Sequence, residues 1–171
     1  MKSLLSPDDG FSPRIRKYFS LMEDVRRRTI EYVQSLNAEQ LSWYPNTKIE
    51  SIGTLLLHIA AVEISYIQED IMKRPMGEEW KIAFPIRFNI PQITGKELSY
   101  FTDKLDGIRA ESRRILWGYS DSDLDMTITP LEPAPGNEDV SYSLEWILYH
   151  LIEHEAHHRG QIALMKRLLP Y

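Results

Sequence analysis

Four of the five histidines in the 171-residue sequence fall within nine positions: His150, His154, His157 and His158. Residues four apart on a helix share a face, with Cβ atoms roughly 5–6 Å apart. His154 and His158 can therefore converge on one metal ion. His157 is rotated by about 100° from His158 and cannot easily join that pair. The fifth histidine, His58, lies on the apolar side of another helical segment. Two imidazoles from one helix and one from another make a metal site of the kind found in helix-bundle cores. Three neutral nitrogens suit zinc, nickel, copper or iron. They also leave a coordination position open for water or substrate, as in catalytic zinc sites. The tripeptide Arg159-Gly160-Gln161 follows directly. Arg159 is a candidate for an anionic substrate group or a structural ion pair, and Gln161 for orienting a ligand or water. Gly160 is expected to allow close packing by a neighbouring helix or loop.

Residues 154–158, H-E-A-H-H, also satisfy the H-E-x-x-H pattern of zinc proteases. The remainder of the chain argues against that chemistry. Those enzymes take a third ligand from downstream, and no His, Asp or Glu follows His158. Strands to hold an extended peptide are also not evident. Glu155 lies about 100° around the helix from His154, which turns it from the ion. No general base is assigned, His150 and Glu155 being the nearest candidates.

Four segments with helical periodicity position these residues. The first spans about 13–36, with Pro13 at its start and Ile15, Met22, Val25, Thr29 and Val33 on one stripe. The second spans about 51–73 and carries Leu55, His58, Ile59, Val62 and Tyr66 before Pro75 stops it. The third covers about 95–118 (Leu98, Phe101, Leu105, Ile115) and the fourth about 141–168 (Leu144, Leu148, Leu151, Ile162, Met165). These predict an all-α, four-helix bundle with long connections, one domain over residues 1–171, and a flexible N-terminus at 1–12. No strand is expected. The connections at 74–94 and 119–140 exceed the usual bundle loop. Trp80, Phe84 and Phe88 in the first suggest that it packs onto something, and Tyr66 and Trp80 are candidate pocket walls. Glu63, five residues beyond His58, is too far around the helix for the same ion and is expected beside the ligands or capping a loop.

Composition bounds the function. A net charge of −5, with Arg26-Arg27-Arg28 spread around a helix, excludes the concentrated positive face of a nucleic-acid binder. No 20-residue apolar span or signal-peptide core is present, so a cytoplasmic protein without a membrane segment is expected. The absence of cysteine removes disulfides, thiolate ligands and a cysteine nucleophile. Thiol chemistry would need a thiol from outside.

The segments S-I-G-T-L-L-L-H-I-A-A-V-E (51–63) and L-Y-H-L-I-E-H-E-A-H-H-R-G-Q-I (148–162) resemble the second and fourth helices of the DinB/YfiT-like metalloenzymes. L-N-A-E-Q-L-S-W-Y-P (36–45) is similar to that family's first loop. The resemblance implies a four-helix bundle, often a homodimer, with a divalent ion, commonly zinc or nickel, on His58, His154 and His158. It further implies a small-molecule substrate and transfer of a low-molecular-weight thiol of the bacillithiol or mycothiol type. A hydrolase of a small amide or ester and a non-catalytic metal-binding bundle are the alternatives.

Overall fold

The computed structural model describes residues 10–132 and 139–170. Helix α1 (Pro13–Val33) starts at a proline, whose missing N–H costs nothing in a first turn. Its exposed amides are capped from a distance. Asp121 accepts the backbone N–H of Arg14 at 2.9 Å and of Ile15 at 3.2 Å, and also the Ser12 hydroxyl at 2.6 Å. A carboxylate at a helix N-terminus satisfies both the free amides and the dipole. A short helix α2 (Ala38–Ser42) follows, closed by a capping box between Asn37 and Gln40.

Helix α3 (Ile52–Ile64) is capped by Ser51, whose hydroxyl accepts from Thr54 N. It is buried on nearly every side, and it continues without a break into a π-helical stretch, Ser65–Ile71. The chain leaves that helix through Lys73 at φ 54°, two residues before Pro75. The next connection carries a 3₁₀ turn (Glu78–Ala83) and a short helix α4 (Pro85–Phe88). Helices α5 (Leu98–Leu116) and α6 (Leu144–Leu168) complete the set. The long helices α1, α3, α5 and α6 form the bundle, with α1 packed along α6 and α3 against both α5 and α6.

One expectation needs correction. The described residues include two strands, β1 (Thr127–Ile128) and β2 (Tyr142–Ser143), paired antiparallel with Thr127 opposite Ser143. At two residues each they are too short to show alternation. They clamp the chain at the start of α6, where Ser143 then caps the helix. The predicted flexible segment 1–12 lies outside the described residues up to position 9. Phe11, at its end, is buried in the core.

The bundle interior has two apolar clusters. One gathers Val33, Leu41, Leu56, Phe101, Leu105 and Ile162; the other gathers Ile15, Phe19, Met22, Ile67, Leu116 and Leu151. Between them in sequence, on each long helix, stands one buried charged residue: Arg26 on α1, Glu63 on α3, Arg109 on α5 and Glu155 on α6. Each occupies an inward position of its helix, so the two cores are separated by an ionic layer.

Candidate metal centre

His58 on α3 and His154 and His158 on α6 converge through the same ring nitrogen. His154 Nε2 lies 3.3 Å from His58 Nε2 and 3.0 Å from His158 Nε2. Nitrogens bound to one tetrahedral ion at about 2.0–2.1 Å would be spaced about 3.3 Å apart. Two of the three spacings are therefore close to those of a three-nitrogen site, and among the described residues these are the ones whose ligand atoms cluster, all within 4.8 Å of one another.

Protons alone do not satisfy this cluster. His158 Nδ1 donates to Gln161 Oε1 at 2.7 Å, which leaves Nε2 of that neutral ring as a lone pair. His154 Nε2 then meets two nitrogens and carries at most one hydrogen. Only one of the two contacts can then be a hydrogen bond. A cation would satisfy all three. Burial also keeps the rings neutral, as a metal requires. It pushes the His58 pKa down to about 4, with His158 adding to the effect. Burial and then the neighbouring rings push His154 down to about 3. His158 is also lowered, by burial first, against the opposing contact with Gln161. His58 Nδ1 is buried without a well-formed hydrogen bond, the Ala83 carbonyl acting on it only loosely.

A cavity of about 430 Å³ opens onto His154. Its walls come from several places, among them Pro130, Glu132 and Tyr142 of the connection that leads into α6. The π-helical stretch turns Tyr66, Glu69 and Asp70 into it, in keeping with the frequent placement of such bulges at functional sites. The connection after α3 supplies Lys81, Phe84 and Arg87, and α6 supplies His150. Phe84 sets its ring edge-on to His58 at 5.0 Å, so the aromatic connection does pack onto the site. From β2 into α6, Tyr142, Trp146, His150, His154 and His158 follow at four-residue spacing. Their rings form a column, with Trp146 stacked on His150 at 4.7 Å and 6°.

The other candidates are distributed unevenly. His150 stands beside the triad, its ring 5.8 Å from that of His154 and held between Trp146 and Tyr66. Tyr66 lines the cavity, and burial with Tyr142 and Asp70 nearby raises its phenol to about 12. His157 is exposed and meets Gln161 Nε2 at 3.2 Å. Gln161 thus joins two histidines. Trp80 does not reach the cavity; it packs on the first apolar cluster with Lys104 Nζ 5.1 Å above its ring. Arg159 makes no ion pair among the described residues, and its Nη1 is buried without a partner. Gly160 is exposed, and a Cβ there would meet nothing within 4 Å, so close packing does not explain it.

Glu63 and Glu155 need correction. Neither stands beside the histidine nitrogens or caps a loop. Glu63 is held by Arg109 Nε at 2.9 Å and Arg26 Nη2 at 2.9 Å. Glu155 accepts Arg26 Nε at 3.0 and 3.2 Å. So engaged and 2% exposed, Glu155 has no reach to act as a general base. The signal in the sequence was a charged residue interrupting each of four apolar stripes.

A four-helix bundle with one inward histidine on its second long helix and an H-x-x-x-H pair on its fourth is a DinB/YfiT-like bundle. The sequence profile of the mycothiol S-transferase family matches residues 18–169, and the chain belongs to that family. It is 26% identical over 153 residues to the uncharacterized protein YizA of Bacillus subtilis (strain 168), covering 90% of this chain and 86% of YizA. The crystal structure of a conserved protein from Enterococcus faecalis superposes with a TM-score of 0.64 at 15% identity, covering 90% of this chain and 95% of that one. That likeness establishes the fold. Among the described residues no helix is long and apolar enough to cross a membrane.

Proposed function

We propose that this protein is a metal-dependent S-transferase that joins a low-molecular-weight thiol to a small electrophile. The observation that carries the reading is the convergence of three Nε2 atoms at 3.0 and 3.3 Å, beside a cavity large enough for a small molecule. His58, His154 and His158 would hold one divalent ion, zinc or nickel. An ion on three neutral imidazoles supplies Lewis acidity, which lowers the pKa of a thiol bound beside it. The chain's own residues do the rest. Gln161 fixes the ring of His158, and Phe84 covers one side of His58. Arg87 and Lys81, the latter paired with Glu78, line the cavity together with the carboxylates of Glu69, Asp70 and Glu132, and Tyr66 keeps its proton as a hydrogen-bond donor. In the reaction a carbon–sulfur bond forms, the leaving group departs with its electron pair, and the thiol proton passes to solvent. The family match and the absence of any cysteine that would compete for ion or electrophile support the same reading. A homodimer fits the exposed apolar side chains of α6, Leu164 and Leu168.

The test is thiol-dependent consumption of monobromobimane or chlorodinitrobenzene by metal-loaded, untagged protein across a panel of thiols. Loss that needs both thiol and metal and disappears in His158→Ala supports the transferase. Turnover of small esters without any thiol would replace it with the hydrolase reading. No turnover of either kind by the loaded protein would leave a metal-binding bundle.

A further inference from the structure

We propose that Arg26 is a positioning residue for the histidine site, its guanidinium setting the spacing between the two helices that carry the histidines. The inference rests on the metal-site reading above. Arg26 comes from α1 and touches no histidine. Its Nε reaches Glu155 on α6 at 3.0 Å, its Nη2 reaches Glu63 on α3 at 2.9 Å, and its Nη1 reaches the Leu105 carbonyl of α5 at 3.0 Å. One planar cation therefore ties all four long helices. Arg109 completes the layer, reaching Glu63 with Nε and Nη2 at 2.9 and 3.1 Å and Glu23 with Nη1 at 2.9 Å.

The placement of this layer makes it relevant to the site. Glu155 follows His154 directly and precedes His158 by less than one turn, and Glu63 lies five residues beyond His58. The apolar driving force is non-directional, and apolar cores lose uniqueness of arrangement before they lose stability. A guanidinium fork on carboxylates is directional, because its donors lie in one plane at fixed angles. Metal constellations tolerate displacements of only about 0.5 Å. Among the described residues the other polar links between α3 and α6 are the contact between the histidines themselves and a longer bridge through Arg109, which holds Glu63 and whose Nη2 lies 3.6 Å from Glu155 Oε2. Arg26 alone of the two guanidiniums holds both carboxylates at hydrogen-bond distance, so its fork most directly fixes the phase of α6 against α3 before an ion arrives. A core assembled for stability alone would not need it, since apolar side chains of similar volume serve as well.

The experiment uses full-length, untagged protein and cobalt(II), whose visible d–d bands report coordination geometry. Two variants are compared with wild type. Arg26→Lys keeps the buried charge and removes the fork. The apolar layer Arg26→Met/Glu63→Leu/Arg109→Met/Glu155→Leu removes all four charges together. In whichever variant folds with wild-type helix content, cobalt(II) is expected to bind at least about tenfold more weakly, the scale seen when supporting groups of metal sites are removed. Its d–d bands are expected to broaden and lose intensity. A folded variant with wild-type affinity and an unchanged spectrum would overturn the proposal and make the layer an ordinary part of the core. Wild-type protein that takes up no cobalt(II) would remove the metal site itself, an outcome visible before any variant is made.

Discussion

Gln161 receives the Nδ1 hydrogen of His158 at 2.7 Å, and its own amide nitrogen meets His157 Nε2 at 3.2 Å. One side chain, less than a turn away on the same helix, decides which nitrogen of His158 is free. Groups that orient a ligating imidazole commonly contribute 10–100-fold to metal affinity. Gln161→Ala is therefore expected to weaken zinc binding by about tenfold or more, with helix content unchanged. A competition titration against a chromophoric chelator reads this directly. Wild-type affinity in the variant would show that His158 needs no orienting partner.

Removing a ring from the triad should be more severe. His58→Ala, His154→Ala and His158→Ala are each expected to lose the metal, about one per chain, that mass spectrometry should find in the wild-type protein. His150→Ala and His157→Ala should keep it, because neither belongs to the converging set. Proton competition gives a second check. The pKa values of His58 and His154 are lowered to about 4 and about 3, so the site should hold zinc as pH falls through the ordinary imidazole value of 6.5. Titration of the metal-free rings by NMR reads the same property, and midpoints at 6.5 would mean that the rings are not buried together in solution.

Glu63 should give the fold its acid sensitivity. Burial alone would raise its carboxyl, but the guanidiniums of Arg109 and Arg26 outweigh that and hold it at about 2, against an ordinary 4.5. The unfolded chain thus binds the proton more readily than the folded one. The stabilisation is complete above pH 4.5 and is lost as pH falls towards 2. Glu63→Gln, which leaves two guanidiniums short of a charge, should cost about 3–5 kcal/mol at neutral pH. It should also flatten the decline in that window. Urea denaturation at a series of pH values measures both.

Two glycines should respond to alanine with opposite signs. A Cβ at Gly53 would lie 2.7 Å from Phe101 Cζ and 3.1 Å from the Leu41 carbonyl. Gly53→Ala should therefore destabilise the fold by about 1–3 kcal/mol despite its better helix propensity. At Gly160 a Cβ meets nothing within 4 Å. Gly160→Ala should stabilise by ~1 kcal/mol, the ordinary helix-propensity gain. Thermal melts of both variants settle the pair.

The helices and the histidine set were legible because both are repeats of 3.6 residues. His154 and His158 reveal each other by spacing, and His58 shows itself on the inward stripe of its segment. Glu63 and Glu155 were harder to place. A charged residue inside an apolar stripe looks the same whether it turns toward a site or pairs with a partner on another helix, and the partners here are 37 and 129 residues away. The π-helical stretch has no residue signature either. It adds one residue to a hydrogen-bond ring, and Ser65–Ile71 continues the composition of α3. At position 160 the residue type alone points to close packing, and only the neighbouring atoms show that the space around it is open.

His58 and His154 are separated by 96 positions in the chain, whereas His154 and His158 are separated by four. During synthesis at about 5–20 residues per second, His58 emerges roughly 5–20 s before its partners. Until then α3 presents a lone imidazole, with nothing to close around an ion. The nascent helix α6 alone can offer two nitrogens, and the third comes only when the first half of the chain is already packed beneath it. Capture of an ion by all three rings would thus wait for α6, and a fragment that ends before it would carry the imidazole of His58 alone.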